Sequence, residues 1–249
     1  MANTAEVAEL LNATTLPKES VEEFLVGAPD LWLMSAPASV LAADLVLCHP
    51  PLKAGEIRAA AQPLGAAKVR ITVVAPDRRG LLADTAAVLA AERLSVVSAS
   101  VATWPADDLA LHALTVDAPG FGQEDWDDLE VRLRALGAGS KTLVHFTPTG
   151  TAKVDWFPAT FGRCIVTVRA PDQLGLLWAI CRWFAENGAS IEAAHIGARG
   201  GTAEDRFVIV GTPDLRYLAG ALSASTAPPQ HRLLQLAKTV LRIGSDHSD

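Results

Sequence analysis

Hydrophobic positions along the chain change period several times, and each change marks an element. Val69 to Ala75 is a β-branched run that stops at Pro76 and reads as a strand. Leu81, Leu82, Thr85, Val88 and Leu89 then recur at helical spacing. Leu176, Leu177, Ile180, Trp183 and Phe184 do the same further on, with Gly188 closing that helix. Ser95 to Thr103 and Ser190 to Ala198 predict second strands, and Leu109 to Val116 and Arg206 to Val210 predict third strands. Polar breaks at Trp104 to Asp108 and Arg199 to Ala203 separate them. Trp126, Leu129, Leu133 and Leu136 space a second amphipathic helix, and Lys141 to Phe146 predicts a fourth strand. The expected class is α+β: two ferredoxin-like βαββαβ domains with antiparallel sheets covered by helices on one face, plus an N-terminal helical segment.

The doubling rests on an internal match. Ile71-Thr-Val-Val-Ala-Pro-Asp-Arg-Arg-Gly-Leu-Leu82 aligns with Val166-Thr-Val-Arg-Ala-Pro-Asp-Gln-Leu-Gly-Leu-Leu177, identical at eight of twelve positions with an offset of 95 residues. A repeat at that spacing means two copies of one domain rather than a short-period solenoid. The expected organisation is a helical segment over 1–65, a first domain over 66–148, a link over 149–162 and a second domain with a helical tail over 163–249. Ala5 to Leu11, Lys18 to Val26 and Val40 to Leu47 read as short helices with few apolar residues each, so the segment is expected to pack on the repeats. The link holds Trp156, Phe157 and Phe161 and reads as docked, since flexible linkers are Gly/Ser-rich. In the second copy Pro213 to Ser223 is favoured as the second helix over His231 to Leu241, and Thr239 to Ile243 predicts a short last strand. The two copies are expected side by side, joined through their first helices or second strands.

Composition narrows the function. Half of the 249 residues are hydrophobic and a fifth are charged, which excludes a disordered chain. The formal net charge is −7 and no Lys/Arg block exists, so no nucleic-acid partner is expected. The acidic start after Met1 has no signal-peptide pattern, and the apolar stretch from Leu31 to Leu52 is broken by Pro37, Asp44 and Pro50. A cytoplasmic, stand-alone protein without a membrane partner is expected. Cys48, Cys164 and Cys181 are scattered, and the six histidines form no metal-spaced cluster. No G-x-S-x-G, G-x-G-x-x-G or P-loop pattern occurs. No enzyme, metal or cofactor is expected.

The shared Ala-Pro-Asp-x-x-Gly-Leu-Leu element carries the candidate chemistry, and most of it is backbone. A strand ends, the chain turns, and a helix begins near Gly80 or Gly175. Its first turn offers free N–H groups and about half a unit of positive charge, which favours a carboxylate or phosphate. Glycine lets a ligand approach the backbone. Asp77 and Asp172 either cap the helix or accept a hydrogen bond from a ligand ammonium. An amino acid carries both charges, so the turns Asp77, Arg78, Arg79, Gly80, Leu81, Leu82 and Asp172, Gln173, Leu174, Gly175, Leu176, Leu177 suit one.

At these residues the chain resembles the ACT domain family, regulatory βαββαβ modules that commonly bind amino acids. The likeness covers Ala67 to Gly211 and is closer to the paired ACT region ending bacterial PII-protein uridylyltransferase/uridylyl-removing enzymes. It is carried by Asp-x-x-Gly-Leu-Leu in both copies, Ser98-Ala-Ser-Val-Ala-Thr103, Ala193-Ala-His-Ile196, Lys153-Val-Asp-Trp156 and Asp205-Arg-Phe207. The resemblance implies a non-enzymatic amino-acid sensor of nitrogen or amino-acid metabolism, with glutamine a candidate ligand. A protein partner or homodimer is also expected. It adds Ser95, Ser190 and His195 to the candidate site, since strand two lies beside the first loop in ACT domains. His112-Ala-Leu114 replaces the Asp-x-Phe expected in copy one, so unequal sites are expected. The alternative is an interaction module that has kept the fold and lost the ligand.

Overall fold

The computed structural model describes residues 4–14, 16–65, 67–104 and 106–224. Four short helices come first: α1 (Thr4–Asn12), α2 (Lys18–Gly27), α3 (Asp30–Leu33) and α4 (Ala38–Val46). The first unit is β1 (Arg58–Pro63), β2 (Lys68–Pro76), α5 (Leu81–Ala91), β3 (Ser95–Trp104), β4 (Leu109–Asp117) and α6 (Gln123–Ala135). The second is β5 (Lys153–Pro158), β6 (Arg163–Pro171), α7 (Leu176–Glu186), β7 (Ser190–Arg199), β8 (Thr202–Val210) and α8 (Leu218–Ala221). Each unit is a four-stranded antiparallel sheet with its helices on one face. Arg199 pairs with Thr202 around Gly200 and Gly201, both at positive φ, which is the two-residue hairpin that the glycines there imply.

The fourth strand differs from expectation. Lys141 to Phe146 has strand-like alternation, yet it forms no strand. The sheet edge beside β2 is already filled by β1, which runs antiparallel from Arg58↔Val74 to Pro63↔Val69. A hairpin closes a short loop, so it reaches that edge at less entropic cost than a strand arriving some 70 residues later. In the second unit β5 fills the same edge against β6, inside the stretch read as a link. Both edge strands end in proline, Pro63 and Pro158, as edge strands tolerate. The second helix of copy two is short: a 3₁₀ turn over Leu215–Tyr217 runs into α8, inside the Pro213 to Ser223 stretch. His231 to Leu241 and Thr239 to Ile243 lie outside the described residues.

The two sheets are one. The strand order is β1-β2-β4-β3-β7-β8-β6-β5, with β3 and β7 antiparallel at the joint. Ser100 pairs with His195, its own counterpart 95 residues on, and Ser98↔Gly197 and Ala102↔Ala193 exchange counterparts around it. A local two-fold axis therefore passes through the Ser100–His195 pair. On the helix side α5 packs against α7. Both expected modes of contact, first helices and second strands, are present together, and one hydrophobic core runs through both units.

The opposite face of the sheet breaks the symmetry. In copy one it carries Val74, Ala102, Trp104, Leu111 and Ala113, all buried under the N-terminal helices. The matching positions in copy two are Arg169, Gly197, Arg199, Glu204 and Arg206. Apolar helices bury their faces only where an apolar partner exists, so they dock on copy one. Trp104 is the anchor. It meets Phe24 and Trp32 edge-on and donates its indole N–H to the Phe24 carbonyl at 2.8 Å. Asp44, buried at the same face, takes an ion pair from Arg70 and a 2.9 Å hydrogen bond from Thr72. Burial pushes its carboxyl up despite Arg70.

Candidate functional site

The two Asp-x-x-Gly turns have the same backbone. Gly80 at φ 84° and Gly175 at φ 85° hold the left-handed conformation that glycine adopts without strain, and each stands just before the first helical residue. No side chain caps either helix, so the aspartates are not N-caps. The Asp77 N–H bonds the Asp108 carbonyl at 2.8 Å and the Asp172 N–H bonds that of Gly201 at 2.9 Å, tying each turn to its own unit's hairpin.

Each turn faces a cleft that draws residues from both copies. In the first, Asp77, Arg78, Gly80 and His112 of copy one meet Cys181, Ala185, Ser190 and Ile191 of copy two. In the second, Asp172, Gln173, Gly175, Gly197 and Asp205 of copy two meet Val96 of copy one. Val96 and Ile191 are counterparts, so the axis at the β3–β7 joint relates the clefts. Each holds about 20 Å³ of free space, room for about one water. An amino acid enters only if the turn moves outward.

The clefts share a backbone and differ in charge. His112 on β4 and Asp205 on β8 occupy the same position, opposite Val73 and Val168, and both are buried, at 3% and 1% exposure. His112 Nδ1 lies 3.2 Å from Thr85 Oγ1, and that hydroxyl donates to the Leu81 carbonyl at 3.0 Å. Thr85 has one proton to give, so Nδ1–H donates to Oγ1. Burial, with Arg78 nearby, pulls the His112 pKa down to about 3. Copy two has Ile180 where copy one has Thr85, and Asp205 Oδ1 has no hydrogen-bond partner. Burial raises the Asp205 pKa to about 7, the Gly197 N–H opposes this, and Asp172 adds to it. Burial also raises Asp172, with Asp117 adding, and Asp77, where a hydrogen bond from the Arg78 N–H opposes the rise and Asp108 and Glu192 add to it. Arg78 reaches Asp84 at 2.6 Å through Nη1, while its buried Nη2 has no partner.

The remaining sequence-derived residues scatter. Leu81, Leu82, Leu176 and Leu177 line the clefts but bury their side chains in the core, and the Leu81 and Leu176 N–H groups already donate to the Arg78 and Gln173 carbonyls at 3.1 Å, so the backbone of Leu82 and Leu177 is what the turns offer. Arg79 and Leu174 point to solvent and line neither cleft. Ser190 reaches the first cleft, whereas half-buried Ser95 pairs with Asp117 at the start of β3 and does not line the second. His195 lies away from both turns. Strand alternation puts Ala194 and Ile196 on the helix side and His195 on the opposite face. There it borders a shallow groove of about 280 Å³ with Arg199, Glu204 and Arg206. Asp205 belongs to the site, and the signal that finds it is strand parity: it faces the side of Phe207 and Ile209.

Lys141 to Thr149 straps both turns. Lys141 Nζ is 2.6 Å from Asp84 Oδ2, and a Cβ on Gly175 would sit 3.6 Å from Val144 and 3.7 Å from Phe146. The Thr147 carbonyl and the Thr149 hydroxyl hold the Gln173 amide. A larger cavity, about 300 Å³, lies between the N-terminal helices and copy one, floored by Phe24, Leu52 and Leu109. Among the described residues, no cluster of three metal-ligating side chains occurs, and no helix is long and apolar enough to cross a membrane.

Residues 165–224 match the ACT domain model. The chain is 29% identical over 203 residues to the bifunctional uridylyltransferase/uridylyl-removing enzyme of Mycobacterium tuberculosis; the match takes in 72% of this chain and 24% of the relative. The chain thus spans about a quarter of the length of the curated relatives it matches. Among solved structures, aspartate kinase from Synechocystis aligns at TM-score 0.38 and 15% identity, over 62% of this chain and 26% of that one. The regulatory subunit of aspartate kinase from Thermus thermophilus aligns at 0.25 and 15%, over 67% and 92%.

Proposed function

We propose that this tandem ACT-domain protein is a non-enzymatic regulatory module that binds a free amino acid at the clefts between its two repeats. The observation that carries the reading is the make-up of each cleft: uncapped helix amides and an aspartate from one copy, walled by the second strand of the other. A ligand there touches both copies, so its binding energy acts on their relative position, which is what a sensor needs. Glutamine is the first ligand to try, and nitrogen or amino-acid metabolism the setting. The experiment is a thermal-shift screen of the full chain against the proteinogenic amino acids. A ligand that binds only the folded chain stabilises it by about 2.7 kcal/mol at a hundredfold excess over Kd. One or a few amino acids should raise the Tm selectively, and Asp172→Ala should weaken that response more than Asp77→Ala.

The small clefts favour a second reading, a module that keeps the ACT fold for contact with a protein partner. A screen in which no amino acid raises the Tm supports it and ends the sensor reading.

A further inference from the structure

The helix-side faces of the two units match in shape and nearly in sequence, yet one substitution pair alters the chemistry at their centres. In copy one the buried polar position is a neutral imidazole, matched donor to acceptor with Thr85. In copy two the same position is a carboxyl whose Oδ1 meets no donor, because Ile180 stands where the hydroxyl would be. A buried carboxylate oxygen without a donor costs free energy, so it calls for a partner brought from outside.

The groups facing Asp205 define that partner. From α7 comes Cys181, whose thiol burial pushes up and the Asp205 charge pushes up further, with buried Ile180 at the position equivalent to Thr85. The β6–α7 turn supplies Asp172, itself facing Asp117 on β4. On β7 the Gly197 N–H is the one group that favours the charge. Residues lining the cleft include two carboxyls and no Lys, Arg or His. Copy one differs in kind: Arg78 lines its cleft, held by Asp84, and His112 has its partner already. An ammonium is attracted to the two carboxyls of the second cleft; in the first the Arg78 guanidinium repels it, and the acceptor at the buried position is the uncharged Nε2 of His112 in place of a carboxylate.

We infer that Asp205 is the anchor for a primary ammonium group in the cleft of copy two, with Asp172 as its second acceptor, and that copy one lacks this subsite. Three N–H donors on one small cation match two carboxylates. The inference deepens the amino-acid reading by saying which end of the molecule is bound, and where. It rests on that reading only for the identity of the molecule that carries the ammonium.

The test uses the full chain with carboxyl-labelled aspartate and two salts, methylammonium chloride and tetramethylammonium chloride, at matched ionic strength. Methylammonium should lower the titration midpoint of the Asp205 carboxyl and raise the Tm near neutral pH. Tetramethylammonium, with no N–H, should do neither. Asp205→Asn should abolish the Tm response, and Asp77→Ala should keep it. Ile180→Thr, which gives the cleft the hydroxyl that copy one has, should weaken methylammonium binding about tenfold. Equal midpoints in the two salts, a full response in Asp205→Asn, or a wild-type response in Ile180→Thr overturns the inference. If methylammonium acts through Asp205 while no amino acid stabilises the chain, the amino-acid reading fails and this one stands. If an amino acid binds wild type and Asp205→Asn equally, the reverse holds.

Discussion

Asp205 and His112 give the protein two opposed pH dependences. The Asp205 carboxyl titrates at about 7 in the folded chain, against roughly 4 for an unfolded aspartate. Between those values the folded chain holds the extra proton, so stability from this group falls as pH rises through the window. His112 titrates at about 3 when folded, against roughly 6.5 unfolded. There the unfolded chain holds the extra proton, so stability rises with pH over that window. From about pH 4 to about 6.5 the two slopes cancel. Asp205→Asn removes one of them. Its stability advantage over wild type should grow from pH 4 to about 7 and then level off, read as the urea midpoint against pH. A constant difference would show that Asp205 is charged throughout. A second prediction concerns Gly175. At φ 85° any side chain is strained, so Gly175→Ala should cost about 1–2 kcal/mol in a denaturant melt before any effect on a ligand is considered.

At the scale of elements, the docking of α1–α4 depends on the few apolar side chains under them. Trp104 touches Phe24 and Trp32, and a Cβ on Gly27 would lie 2.8 Å from its ring. Trp104→Ala should cost about 3–5 kcal/mol, the range for removing a buried aromatic. Limited proteolysis should then cut between residues 4 and 46 while the sheet units stay protected. Protection of that segment unchanged in Trp104→Ala would mean the Asp44–Arg70–Thr72 contacts hold it unaided. How legible the elements were depended on side-chain chemistry. β2, β6, α5 and α7 show clear periods. β1 is Arg-Ala-Ala-Ala-Gln-Pro, which lacks β-branched residues and passes for loop, while Lys-Thr-Leu-Val-His-Phe at 141–146 looks like a strand and lies over the turns instead.

On the scale of the whole molecule, the repeat behaves as a dimer made in one chain. The β3–β7 ladder and the α5–α7 contact join the units into one sheet and one core. Cooperative unfolding follows from a shared core, because neither unit keeps its apolar face covered alone. Calorimetry should give a single transition with calorimetric and van't Hoff enthalpies equal. Two separable transitions would mean that the joint adds little, and a ligand bridging it would then have little to act on.

By itself the sequence determined the duplication, the α+β class, the two Asp-x-x-Gly turns and the expectation of unequal sites, because all of these live in local pattern: period, turn residues and a self-match at fixed offset. It also held His112 in place of the strand-three aspartate. Tertiary structure alone decided the rest. Which strand fills each sheet edge is a competition between segments far apart in the chain. Which face His195 and Asp205 take follows from register, and register is set by pairing. That Asp205 Oδ1 lacks a donor while His112 has Thr85 is a fact about helix against strand, since Thr85 is distant in sequence from the histidine it meets and Ile180 stands at its equivalent position. A single chain position carries no record of its neighbour across a core; only the folded packing brings the two together.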